Sequence, residues 1–170
     1  MPLTSTIRDY DSDWPRRFDE EAARLRPVFA ESLLEIHHVG STAVPGLAAK
    51  PEIDVLVVVD SQDRCDDWTA MLSDFGYIRG RDLSSGHLFY RRNVDGVRTH
   101  KIHACIAGHE QVFAMLKYRD LLRSDSDLRE RYQTLKLKLE RENIGGIGEY
   151  LEGKEPFIRA ALKSMSAGAT

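Results

Sequence analysis

Apolar positions along this chain change period several times, and each change marks an element. Phe18, Ala22, Leu25, Phe29 and Leu33 recur near helical spacing. Asp13 stands in N-cap position and Pro15 in the first turn. Pro27 interrupts this pattern, which predicts a kinked or divided helix. "EIHHV" reads as a short strand. "IDVLVVV" is β-branched and apolar on both faces, the pattern of a central strand covered by helices. Ser61 is then placed to cap a helix, "QDRCDDWTAMLSDF", that ends near Gly76. "HLFYRR" and "RTHKIHACI" are two further strands, with Asp95-Gly96 as the turn of a hairpin between them. The remainder is helical, over about 109–123, about 125–143 and a last segment after the glycines of "NIGGIG". This order predicts an α/β fold: a short mixed β-sheet with flanking helices and a helical C-terminal part over about 109–165.

The length of 170 residues suits one domain over 1–170 with a real core. A formal net charge of -3 gives no global attraction to nucleic acid or anionic membrane. Cys65 and Cys105 lie far apart with no CxxC pattern and read as reduced thiols of a cytoplasmic protein. No apolar run approaches the ~20 residues that span a bilayer. The N-terminal stretch lacks the order of a signal peptide, and only the tail "SMSAGAT" reads as disordered.

The chemistry concentrates in "HHVGSTAVPGLAAKPEIDVLVVVD", residues 37–60. Glu52 and Asp54 are two apart in a strand, so they share a face with Cα atoms roughly 6.6 Å apart. Two like charges side by side call for a cation, and Mg²⁺ suits oxygen ligands that also meet substrate phosphates. Gly40 permits close backbone approach, and Ser41 offers a hydroxyl beside amides that can hold phosphate oxygens. The bland reading has Ser41 and Thr42 capping a turn and Glu52 solvated after Lys50-Pro51. Asp54, followed by "VLVVV", is harder to explain as structural.

The stretch "HVGSTAVPGLAAKPEIDVLV" resembles the signature of the GrpB family, a branch of the nucleotidyltransferase superfamily also fused to some dephospho-CoA kinases. "YDSDW", "LFYRR", "THKIHA", "LKYRDLLRSDSDLRERYQTLK" and "EYLEGKEPFI" resemble family blocks in the same order. The resemblance implies a nucleotidyltransferase fold, in which a Gly-Ser turn holds nucleotide phosphates and acids on the next strand hold divalent metal. Gly40-Ser41 and Glu52-Ile53-Asp54 match that pattern. The match is firmer for Asp54 than for Glu52, whose family position is often apolar. Leu56 stands where a further acid would share the face of Asp54.

Alternation in "RTHKIHACI" puts Lys101, His103 and Cys105 on one face and His100 and Ile102 on the other. The family tends to carry a histidine where this chain has Lys101. His103 is the candidate third metal ligand or base, unless a bulge at Thr99-His100-Lys101 reverses the faces. Candidate phosphate-binding residues are Gly40, Ser41, Thr42, Lys50, Arg91, Lys136 and Lys154. The last two follow Tyr132 and Tyr150 by one helical turn.

These readings point to a nucleotidyltransferase dependent on Mg²⁺, or alternatively Mn²⁺, with Asp54, Glu52 and His103 as metal and catalytic residues. It would move a nucleotidyl group from a nucleoside triphosphate to a small-molecule acceptor; the chain has no basic tract for nucleic acid. The first rival is a non-catalytic nucleotide- or coenzyme-binding module of the same fold. The second is an interaction domain whose signature loop is purely structural.

Overall fold

The structure is a computed structural model, and it describes residues 2–164. The tail expected to be disordered lies, from residue 165 onward, outside the described residues. Five helices and five strands follow in the order α1 (Trp14–Phe29), β1 (Leu33–Val39), β2 (Ile53–Val59), α2 (Cys65–Asp74), β3 (Tyr77–Arg79), β4 (His87–Val94), β5 (Val97–Ile106), α3 (Glu110–Ser124), α4 (Ser126–Glu142) and α5 (Ile147–Ser164). The strands form one mixed sheet in the order β1-β2-β5-β4-β3. β2 is antiparallel to β1 and parallel to β5. This is the predicted α/β architecture, with β2 interior and helices following β5.

The two faces of β2 explain its unbroken apolar run. Val55, Val57 and Val59 join Ile102, Ala104 and Tyr90 in a core closed by Leu25, Phe29, Trp68 and Leu72 of α1 and α2. Leu56 and Val58 face the other way, with Cys105, against Val112, Met115 and Leu116 of α3. Burying one such valine or leucine side chain stabilises by ~1.5–3 kcal/mol, so both faces hold the strand in register. At the N-terminal end of that second face stands Asp54 in place of an apolar residue.

The signature loop ties the helical part to the sheet. Val44 and Leu47 are fully buried among Leu122, Leu128, Tyr132 and Ala161. Arg119 Nη1 donates to the His38 carbonyl, Arg123 Nε to the Ala43 carbonyl, and the Ala48 amide to Gln133 Oε1. The loop therefore fixes the helices over the acid end of β2.

Several local expectations change. Pro27 does not divide α1: it lies inside the helix two residues before its end, where few intrahelical bonds remain to lose. Asp13 is at the N-cap, but its carboxylate pairs with Arg16 and Arg17 instead of capping. Ser61 does not cap α2, which starts at Cys65 after a turn. β3 carries too few residues to show a period. Asp95 and Gly96, at φ +51° and +77°, make the predicted hairpin turn.

The β4–β5 register slips between Arg92 and Asn93, leaving Thr99 as the extra residue, where a bulge was suspected. The β2–β5 register nevertheless runs without a break from His100 onward. His100 therefore stays on the α1 face, where Arg92 Nη2 approaches its ring and also pairs with buried Glu21. Burial, with Arg92 beside it, pushes the His100 pKa down to about 4. Its place is structural, as expected for the face away from the acids.

Candidate functional site

β1 ends at Val39, and Gly40 turns the chain at φ +75°, ψ -175°. A Cβ at this position would lie 2.3 Å from Asp54 Oδ2, so only glycine lets the turn close on the acid. Ser41–Ala43 then form a short 3₁₀ turn. Thr42 is fully buried, and its Oγ1 donates to the Glu52 carbonyl at 2.9 Å. That uses the hydroxyl's one proton, so the 3.0 Å contact with His38 Nε2 has the ring donating. Burial lowers the His38 pKa to about 4, and its ring stacks on Phe18. Thr42 and His38 hold the turn in place; Thr42 also lines the pocket described below, with its hydroxyl already engaged by the Glu52 carbonyl and the His38 ring.

Glu52 immediately precedes β2 and Asp54 is its second residue. Asp54 is level with Lys101 on the parallel neighbour β5. In-register neighbours project to the same face, and the ammonium lands between the acids: Lys101 Nζ is 2.9 Å from Glu52 Oε2 and 3.0 Å from Asp54 Oδ1. Burial works against the charge on Lys101, but Asp54 and Glu52 outweigh it and hold the pKa above the ordinary lysine range. A cation does lie between the paired carboxylates, as their spacing demands, and it belongs to the protein.

Three more lysines surround this triad. Lys136 is 2% exposed and donates to Ser41 Oγ at 3.1 Å and to the Ala48 carbonyl at 2.5 Å. Lys50 and Lys154 share the Tyr150 ring, at 4.1 and 4.5 Å from its centroid. Burial, then the charge of Lys154, lowers the Lys136 pKa to about 7. Burial, then Lys101, lowers that of Lys154 to about 8. The four lysines and two acids line a pocket of about 70 Å³. Through Ser41, Asp54 and Lys154 it opens into a cleft of about 630 Å³ between α3 and α5, walled by apolar side chains such as Met115, Leu122 and Ile158 and edged by Arg119 and Arg159.

Gly40, Ser41, Thr42, Lys50, Glu52, Asp54, Lys136 and Lys154 thus meet in one place. Arg91 is opposite Lys101 on β4 and projects to the same face of the sheet, but it does not line the pocket. His103 shares that face, yet one pleat further along: it is level with Leu56, and its Nδ1 is 2.8 Å from His87 Nε2. Burial, then His87 and Lys101, lowers the His103 pKa to about 3. The structure does not bring His103 together with Glu52 and Asp54 as one ligand set. Among the described residues, the His, Cys, Asp and Glu side chains near enough to share a metal are His87, Cys105 and His109. The role of Lys101 as counter-ion was not read from the sequence. The available signal was a lysine on the face assigned to the acids, in a strand whose pairing partner was unknown.

A mixed sheet with an interior acid-bearing strand, entered from a Gly-Ser turn and overlaid by C-terminal helices, defines a nucleotidyltransferase-like fold. The fold alone is shared with the Cid1 poly(U) polymerase, 14% identical, with a TM-score of 0.57 over 86% of this chain and 49% of that one. The sequence model described as "GrpB protein" matches residues 4–164, and the chain belongs to the GrpB family.

The crystal structure of conserved protein GrpB from Enterococcus faecalis superposes with a TM-score of 0.86 at 32% identity, covering 94% of this chain and 96% of that one. UPF0157 protein BH1888 of Halalkalibacterium halodurans is 35% identical over 95% of this chain and 83% of its own length. UPF0157 protein YqkA of Bacillus subtilis is 33% identical over 89% of this chain, which spans only 44% of that longer relative. A dephospho-CoA kinase of Mycobacterium tuberculosis is 29% identical over 90% of this chain and 44% of its own.

Proposed function

We propose that this protein binds the phosphate groups of a nucleotide or nucleotide-containing coenzyme in the lysine-lined pocket, without a divalent cation on the Glu52–Asp54 pair. The observation that carries this reading is the position of Lys101, in contact with both carboxylates. A divalent ion roughly 3 Å from an ammonium meets repulsion on the order of 10 kcal/mol at an effective dielectric of 20. The pocket also sets four lysines against two acids, a surplus of positive charge suited to an anion. The small pocket suits a phosphate and the adjoining cleft the rest of the ligand.

A Mg²⁺-dependent nucleotidyl transfer is the other reading. Its support is the fold shared with Cid1, which has been crystallised with Mg 3'-dATP bound, and the presence of two carboxylates. Oxygen donors suit Mg²⁺. An ammonium already touching both does not, and His103 is turned to His87. The residues in place do not fit the metal, so we assign no transfer step. The acceptor expected for such a reaction has no further support. Free Cys65 and Cys105 agree with a cytoplasmic location, which we include in the proposal.

Titration of the untagged protein with ATP and with coenzyme A, in chelator and in Mg²⁺, tests the reading. Binding of one of them in chelator is expected, with Mg²⁺ changing the affinity by less than about tenfold and Lys154→Ala weakening it by about tenfold or more. Binding that appears only with Mg²⁺ would favour the transferase. No binding of either would leave the loop a structural device.

The same site predicts a pH dependence. Lys154, facing Lys101, Asp54, Lys50 and Glu52, has its pKa lowered to about 8, and Lys136, facing Lys154, Glu140 and Lys50, to about 7. A terminal phosphate, with its second pKa of about 6, is already ionised above pH 7. Raising pH from 7 to 9 therefore removes positive charge from the protein alone. Affinity should fall by about tenfold across that window; a flat calorimetric profile would remove Lys154 from the role.

A further inference from the structure

We infer that His87, Cys105 and His109 form a site for a borderline-soft divalent transition metal, Zn²⁺ above all, separate from the lysine-lined pocket. One ligand atom from each residue lies within 4.8 Å of the other two. Zn–N bonds of about 2.0–2.1 Å and Zn–S bonds of about 2.3 Å put tetrahedral neighbours about 3.3–3.6 Å apart, so closing the shell takes side-chain adjustments of about 1 Å.

Non-local pairing builds the cluster. His87 opens β4 and is the direct cross-strand partner of Cys105 near the end of β5, so both side chains project to one face. The chain then turns at Gly108, and His109, the N-cap of α3, folds back over them; its ring centroid is 5.6 Å from that of His87.

The surroundings resemble the support a ligand histidine needs. His87 Nε2 is engaged by His103 Nδ1, which leaves His87 Nδ1 without a hydrogen bond among the described residues. A ligating imidazole whose other nitrogen is bonded is fixed in orientation and tautomer. His109 is held at both nitrogens, by the Gln111 amide at Nδ1 and by Ser84 Oγ at Nε2. Whichever nitrogen takes the metal, one of those bonds is exchanged for it. Two imidazoles and a thiolate select Zn²⁺ over Mg²⁺ or Ca²⁺, and three protein ligands leave a fourth position for water. The competing account is that Cys105 packs as a small apolar residue while the histidines satisfy one another.

Titration of the untagged, full-length protein with Co²⁺, followed by Zn²⁺ competition, separates these accounts. The expected Co²⁺ spectrum has tetrahedral ligand-field absorption and a thiolate charge-transfer band, both removed by Zn²⁺. Cys105→Ser should abolish the charge-transfer band, and His109→Ala should weaken Zn²⁺ by at least about tenfold. His109 is partly exposed, so its variant reports on metal even if the buried Cys105→Ser fails to fold. Asp54→Asn should leave the spectrum unchanged. An octahedral spectrum without thiolate character, or Zn²⁺ affinity unchanged in His109→Ala, would overturn the inference.

Discussion

Lys101→Ala should lower stability at neutral pH by ~3 kcal/mol in metal-free buffer, and millimolar Mg²⁺ should restore most of that loss. The carboxylates of Glu52 and Asp54 are only 11% and 16% exposed, and Lys101 touches both. Removing the ammonium leaves two facing acids with no cation between them, and breaking a buried pair from one side costs more than the pair itself contributes. The loss is fully visible at neutral pH. The folded pKa of Lys101 lies above its unfolded value, so its contribution is complete below the unfolded value and declines only as pH rises through the folded one. With the ammonium gone, the same oxygens become a site for a hard dication, and a ligand at a hundred times its Kd stabilises by about 2.7 kcal/mol. Lys101→Met, which keeps the aliphatic stem, separates packing from charge. Urea unfolding of wild type and both variants, with and without Mg²⁺, gives the answer. If Mg²⁺ stabilises wild type as much as the variants, Lys101 is not standing in for the metal and the transferase reading regains its footing.

The elements that the sequence made legible are those whose signal is local. The "VLVVV" run, the Asp95-Gly96 turn, the glycine after α2 and the C-terminal helices are written in consecutive residues, and the structure agrees with each. Proximity of Gly40 to Asp54 was also readable, from the Gly-Ser turn followed by the acid pair, and the antiparallel pairing of Val39 with Asp54 delivers it. What escaped depends on pairing between distant segments. Alternation placed Lys101 on the face of His103, but only the parallel register of β2 with β5 sets its ammonium between Glu52 and Asp54. Likewise His103 was read as reaching the acids. His87, brought alongside by β4, gives it a partner one pleat away. Lys136 and Lys154 repeat a Tyr-x-x-x-Lys spacing that a merely solvated helix would also show. It is the docking of Val44 and Leu47 between the helices that turns those faces inward.

Gly40→Ala should cost ~3–5 kcal/mol and remove phosphate-ligand binding together with the Lys101 contact to Asp54. Two effects add. At φ +75° and ψ -175° the residue occupies a region that is nearly glycine-only, worth ~1–3 kcal/mol against any side chain. The new methyl would also lie 2.3 Å from Asp54 Oδ2 and 3.0 Å from both Asp54 Cγ and Cβ, so the carboxylate must leave its place. A double-mutant cycle separates the two effects. Asp54→Ala removes Oδ2 and Cγ but keeps the Cβ, so Gly40→Ala in that background should cost ~1–2 kcal/mol less than in wild type. The residual is the backbone penalty with one tight methyl contact. Urea midpoints of the four proteins complete the cycle. Equal costs in the two backgrounds would mean that the Asp54 carboxylate adds nothing to the constraint on the turn. The close approach of Gly40 to that carboxylate would then have no energetic weight in the site.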